Sequence, residues 1–475
     1  TDSDPAIAAE AAWAIHDDNS IPEALPALAA WLDNAPAYSL DRAIRRAVNA
    51  SFRLGTPEAA ARLARFSVKS GPLFPSAADR EKKPDAARPP GPREEALILL
   101  ALWNTPPSLD RVDARPRSYP ARSTDAVRPK IQPVLAELLE RQDASMKARA
   151  MQVMSVFDIN IPPSVTAAAA LDQVTPPEVR LQSLRLLARQ HPDAPERRPV
   201  LTELLGDKSQ PDLRIESVKQ LLTIDPAAGI AAAGDLITGG RLAEQQAAVA
   251  QLAAAQHPEA DVRLAALLTP AGDASGAAPG IRLDVLEAAA VRAPTAPALA
   301  AALAARAKAL EASTDLLAAL TDCVTGGDPA AGKEMALNHL AANCVACHRF
   351  QKGAGSQVGP PLESIGRLHP APYLLEALAN PSAVIAPGYG MATVTLKNGT
   401  TLAGTILSET PDKILLRQPD GVEVSAAPSA IAGRTPPISV MPPMHGILTP
   451  RQIRDVVAYL ETLKAKPDSA GASEH

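Results

Sequence analysis

The stretch Pro177-Glu178-Val179-Arg180-Leu181 returns as Pro211-Asp212-Leu213-Arg214-Ile215, about 34 residues later. An apolar stripe follows each copy. Leu184, Leu187 and Ala188 continue the first, and Val218, Leu221 and Leu222 the second. This is the spacing of one face of an amphipathic helix. Weaker copies stand at Met146-Lys147-Ala148, with Met151 and Met154 behind, and at Val262-Arg263-Leu264. An Ala-rich version (Pro5, Ile7, Ala12, Ile15) opens the chain. A period of this length with two helices per unit implies a helical solenoid. In the first copy, Thr175 is expected to cap the helix and Glu178 to reach back to it. Aromatic residues are only 3% of the 475, so the core must be Ala, Leu, Val and Ile.

The solenoid is expected over residues 1–322, with no strand before residue 380, and its concave face or loops to bind another protein. Its Pro/Asp-x-Val-Arg-Leu helix starts resemble HEAT-like repeats more than tetratricopeptide repeats, whose aromatic positions are absent. Ser76–Arg93 and Pro106–Arg128 are rich in Pro and Arg without periodicity, and read as solvated surface loops. Thr325-Gly326-Gly327-Asp328-Pro329 reads as a linker or helix start. The net charge of −5 and the lack of a basic tail argue against nucleic acid. No apolar stretch reaches the ~18 residues of a membrane span. Thr1 opens the chain without a charged n-region and apolar h-region, as expected of a processed form or an excised piece.

Chemistry concentrates in Cys344-Val345-Ala346-Cys347-His348. C-x-x-C-H is the attachment pattern for c-type haem, with a chance occurrence of roughly 3 in 10,000 at this composition. Two thiols add across the haem vinyl groups, and the next residue, His348, offers its imidazole to the iron. A bare C-x-x-C also suits a redox dithiol or half a zinc site. The chain has no second Cys pair for zinc, and a helix rather than a strand is expected before the motif. Cys323, the third cysteine, is expected as a small buried or linker residue.

The surroundings resemble class I cytochrome c. An early helix carries Gly332, and a final helix begins with the capping box Thr449-Pro450-Arg451-Gln452 and continues as Val456-Val457-Ala458-Tyr459-Leu460. In that family the two helices cross at the Gly and the aromatic. An aromatic usually follows the Gly by one turn, where this chain has Ala336. The resemblance gives Pro360, in Gly359-Pro360-Pro361-Leu362, a carbonyl that accepts from the proximal imidazole. It makes Met441, followed by Pro442, the sixth ligand, with Met444 and His445 as competitors. Arg349, Lys352 and Arg367 are candidates to pair with haem propionates, or form a solvated rim.

Between His348 and Met441 the pattern turns to strands. Val394 and Leu396 alternate with threonines, Asn398-Gly399 and Asp420-Gly421 mark turns, and four or five antiparallel strands are expected over 391–435. With this insertion, residues 326–465 resemble the planctomycete-type haem-binding domain. The matching motifs are Asn343 to His348, Val358 to Leu362, Tyr373 to Leu378, Asn380-Pro381-Ser382, Lys397 to Gly399, Met441-Pro442 and Val456 to Leu460. In that family HEAT-like repeats often precede the haem domain, as in membrane-bound sugar-dehydrogenase-like proteins. The expected fold is therefore mainly α: a HEAT-like solenoid, a cytochrome c domain with a small β insertion, and a flexible tail over 466–475.

The resemblance implies one covalent haem c and one-electron transfer to or from a redox partner protein, in the periplasm or at the cell surface. One alternative is the electron-accepting part of a sugar or alcohol dehydrogenase whose catalytic propeller lies outside this chain. Peroxide chemistry would need an open distal site, which a Met-Pro segment argues against. A third reading is a scaffold that the haem merely stabilises. His16, His191 and His257 read as surface residues at helix ends.

Overall fold

Proline opens most of the helices. Pro57, Pro92, Pro163, Pro177, Pro211, Pro226, Pro258, Pro329 and Pro450 each begin one. There the missing N–H is one that no helix would satisfy. The computed structural model describes residues 3–18, 21–36, 39–69, 90–140, 144–268, 276–315, 317–351, 354–356 and 358–465. Most of the Ser76–Arg93 segment, Lys352 and the tail expected over 466–475 lie outside the described residues. The protein is mainly helical, with a small antiparallel sheet near its C-terminus. It divides into two compact units, Thr1–Ile224 and Asp225–His475. Among the described residues, no helix is long and apolar enough to cross a membrane.

In the first unit, helix Pro177–Gln190 packs on Pro163–Leu171, Ala144–Val156 and Pro211–Ile224, while Arg197–Leu205 packs on Pro163–Leu171 and Pro211–Ile224. The repeated arginine has a definite task. Buried Arg180 donates through Nε to the carbonyl of Ala170, 2.9 Å away, at the end of the preceding helix. Arg214 does the same to the carbonyl of Leu205, also at 2.9 Å. Helix ends leave carbonyls without intrahelical donors, and each repeat supplies one to the helix before it. The expected Thr175 cap is absent. The helix starts at Pro177 without a side-chain cap, and Thr175 Oγ1 donates instead to Asp172 at 2.8 Å.

The Pro106–Arg128 segment is a surface loop, as expected, but several of its arginines are tied back to the helices rather than left to water. Arg115 donates to the carbonyl of Asp17, Arg117 to that of His16, and Arg122 to that of Phe52 at 2.7 Å. The Arg122 guanidinium lies 4.0, 4.6 and 5.1 Å from the ring centroids of Phe52, Trp103 and Tyr119. Burial pushes its pKa down to about 10. Arg117 and Arg122 are therefore half-buried and spent on the protein itself, because carbonyls and ring faces reward a guanidinium more than water does. Arg122→Ala is expected to destabilise the first unit by about 2 kcal/mol, through the lost cation–π contacts and one hydrogen bond. Denaturant unfolding checks this.

His16 corrects another expectation. It is fully buried on a short π-turn, Ala14–Asp18, with Nδ1 2.6 Å from Asp17 Oδ1 and Nε2 3.0 Å from Asn49 Oδ1. Burial acts to raise the Asp17 carboxyl pKa, but hydrogen bonds from Arg46 and His16 outweigh it and hold that pKa below its usual value. His191 and His257 do stand at helix ends.

The second unit opens with helices Pro226–Gly239, Leu242–Ala254, Pro258–Leu267, Arg282–Arg292 and Pro297–Glu311. Among these, each helix packs on the next and the next but one. The segment carrying Cys344-Val345-Ala346-Cys347-His348 follows. A short hairpin, β1 (Arg349–Gln351) with β2 (Ala354–Gly355), stands ahead of residue 380, where no strand was expected. The main sheet has six strands rather than four or five: β3 (Gly390–Leu396), β4 (Thr401–Glu409), β5 (Ile414–Arg417), β6 (Glu423–Ala426), β7 (Ile431–Arg434) and β8 (Ile438–Ser439). Its order is β6-β5-β4-β3-β7, with β8 also on β3, and its small core is Val394, Ile414 and Leu416. The added strand β8 leads directly to Met441.

Candidate functional site

The motif stands on a pair of crossed helices. Asp328 caps the first, Pro329–Asn338, by accepting from the Ala330 N–H at 2.8 Å. Thr449 and Gln452 cap the last, Pro450–Thr462, in a reciprocal box at 3.3 and 2.9 Å. They meet at Gly332, where a Cβ would overlap the Asp455 carbonyl and lie 2.9 Å from the Tyr459 Cβ. Ala336, one turn on, is 1% exposed. Phe350 stacks with Tyr459 at 6.0 Å, so an aromatic from β1 adds to the core beside this crossing.

Asn343 adopts the left-handed conformation (φ 39°) and starts a single tight turn, Cys344–Ala346. The His348 N–H donates to the Cys344 carbonyl at 2.8 Å. The Gly359–Leu362 loop is sewn to this turn. The Gly359 N–H donates to the Cys347 carbonyl at 2.7 Å, and that of Leu362 to the Arg349 carbonyl at 2.8 Å. Gly359 sits so close that a Cβ would lie 2.8 Å from His348 Cε1. His348 Nδ1 lies 2.8 Å from the Pro360 carbonyl. A carbonyl only accepts, so Nδ1 carries the proton and the neutral ring keeps a lone pair on Nε2. Burial pushes the His348 pKa below its ordinary value, against the opposing pull of the Pro360 carbonyl.

None of the three cysteines forms a disulfide. Burial raises the Cys344 pKa, with the Cys347 charge adding to it. That is the reverse of the stabilised thiolate that activates a redox cysteine. Cys323 is 1% exposed, and burial and then Asp322 push its thiol up to about 11.

The three candidates opposite His348 have different surroundings. Met441 is half-buried against the same apolar cluster that Cys344, Val345 and Leu362 border, and its N–H donates to Ser439 Oγ at 3.2 Å. Ser439 is held in turn by pairing with Gly390 and by Ser382, whose Oγ accepts from its N–H at 3.1 Å. Met444 is 3% exposed inside the cluster, and His445 is exposed. Of the residues considered for propionates, Arg349 is already paired with Glu363, Arg367 is exposed and Lys352 lies outside the described residues.

Two thiols and an imidazole with a free Nε2 on one short turn, beside an apolar cluster, are a donor set that fits haem c. Sequence reasoning missed Glu363, which pairs with Arg349, and Ser439, which bonds the Met441 backbone two residues on and is itself held by Gly390 and Ser382 far back in the chain. No family model matches this chain, and no curated protein matches it.

Proposed function

We propose that this chain is an electron-transfer protein carrying one haem c, covalently bound through Cys344 and Cys347 with His348 and Met441 as axial ligands. The observation that carries this reading is the hydrogen bond from His348 Nδ1 to the Pro360 carbonyl, within a C-x-x-C-H turn. Such a bond fixes the ring's orientation and raises its basicity as a ligand. Haem bound there supplies one-electron chemistry at iron. The chain's own residues hold the imidazole, through Pro360 and Gly359, and tie the Met441 backbone to β8 through Ser439. A thioether opposite histidine favours a higher potential than two histidines would, which suits accepting electrons from a partner redox protein.

The helical segments are proposed to be HEAT-like repeats that dock such a partner. The packing of helices on their next-but-one neighbours, and the matched roles of Arg180 and Arg214, support this. Covalent haem c implies an exported protein, in the periplasm or at the cell surface.

The test is the mass of the denatured chain purified from cells that mature c-type cytochromes. It is expected to rise by one haem. One thiol, Cys323, is then expected to remain of the three cysteines. A chain with no added mass and three titratable thiols would overturn the reading.

A further inference from the structure

The Thr325–Pro329 stretch, a linker by composition, is pinned on both sides. Gly326 has φ +87°, and a Cβ there would overlap the Gly280 carbonyl. Its own carbonyl accepts from Gln246 Nε2 at 2.7 Å. Two residues on, the Asp328 N–H donates to Asp455 Oδ1 at 2.9 Å. The apolar core also ignores the composition boundary. Leu283, Leu320 and Cys323 belong to one cluster with Ala336, Val456, Tyr459 and Leu460.

Asp284 stands at the centre of this junction. It lies in the first turn of Arg282–Arg292, and its side chain is 8% exposed. Oδ2 accepts from Arg454 Nη1 at 2.7 Å and from Gln246 Nε2 at 3.3 Å, while Oδ1 accepts from Arg451 Nη2 at 2.9 Å. Arg451 also pairs with Glu287. Arg454 is 2% exposed, and without Asp284 its nearest carboxylate is Asp455 at 4.0 Å. Breaking one side of a buried ion pair leaves an uncompensated charge, which is far costlier than losing an exposed pair.

We propose that Asp284 is a positioning residue. It locks the helix that crosses the motif helix onto Arg282–Arg292, so that the C-x-x-C-H segment and the second unit's helices before it move as one rigid body. This rests on the haem reading only for its consequence: a redox partner meets a haem edge held in one orientation to those helices. A cytochrome on a hinged linker would instead present its haem in many.

Hydrogen exchange followed by mass spectrometry on the full chain tests it, with haem mass measured on the same samples. In the wild type, peptides covering 323–331 are expected to be as protected as those of Pro450–Thr462. Asp284→Ala is expected to raise exchange over 323–331 at least tenfold and leave the β3 to β8 peptides unchanged. Asp284→Glu, which restores the carboxylate, is expected to recover much of the protection. Unchanged exchange over 323–331 in Asp284→Ala would overturn the proposal. So would an equal rise in the sheet peptides, which would mark Asp284 as an ordinary stabilising residue. Absence of haem in the wild-type sample would sink the haem reading and leave the exchange result standing.

Discussion

Gly332→Val is expected to unfold the haem-motif segment at temperatures the native chain withstands. A Cβ at this position already overlaps the Asp455 carbonyl, and two further methyl groups must displace the last helix. That helix supplies Ile453, Val456, Val457 and Leu460 to the core, each at most 6% exposed. Separating it therefore opens the whole cluster rather than one contact. Overpacking of this kind costs about 3 kcal/mol or more. In a unit of 251 residues, that corresponds to a fall of roughly 6–12 °C in midpoint. The check is the thermal transition followed by haem absorbance, or by circular dichroism in haem-free chain. A midpoint equal to the wild type would show that the crossing is not where the helices are closest.

Exchanging the two methionines should separate ligation from packing. Met441→Ala is expected to abolish the thioether signature in the ferric spectrum and lower the potential, with little loss of stability, since its side chain is only half-buried. Met444→Ala is expected to keep the signature and cost about 2–4 kcal/mol, because its side chain is 3% exposed within the cluster. The reverse result would assign the iron to Met444. An unchanged spectrum in both variants would refute the assignment to Met441.

Features set by neighbours in the chain were legible in the sequence. The Thr449 cap, the turns at Asn398-Gly399 and Asp420-Gly421 and the strand alternation around Val394 need only residues a few positions apart, and they stand where the pattern put them. The closeness of Pro360 to His348 was implied by resemblance, and the hydrogen bond is present. What escaped depends on pairings across long stretches of chain. Nothing near His16 announces that Asn49 will meet its ring or that Arg46 will hold its neighbour Asp17. Arg115, Arg117 and Arg122 look solvated in the sequence because their acceptors, the carbonyls of Asp17, His16 and Phe52, lie at least 70 positions away. Gly-Gly suggests freedom, but glycine also allows close contact, and at Gly326 contact prevails. Thr175 does not cap because the helix opens at Pro177 with Pro176 in the capping position, one residue past it.

The chain holds three tryptophans, Trp13, Trp31 and Trp103. All lie before residue 224, in the first unit. Trp103 is fully buried among Phe52, Phe157 and Arg122, whereas Trp13 is 47% exposed. Intrinsic indole emission is therefore a reporter of the first unit alone, dominated on unfolding by the release of Trp103 into water. The second unit has no tryptophan, and the haem proposed for it would be read in the visible band. One sample, scanned at two wavelengths, gives two separate melting curves, and their coincidence or separation measures whether the two halves of the chain unfold together.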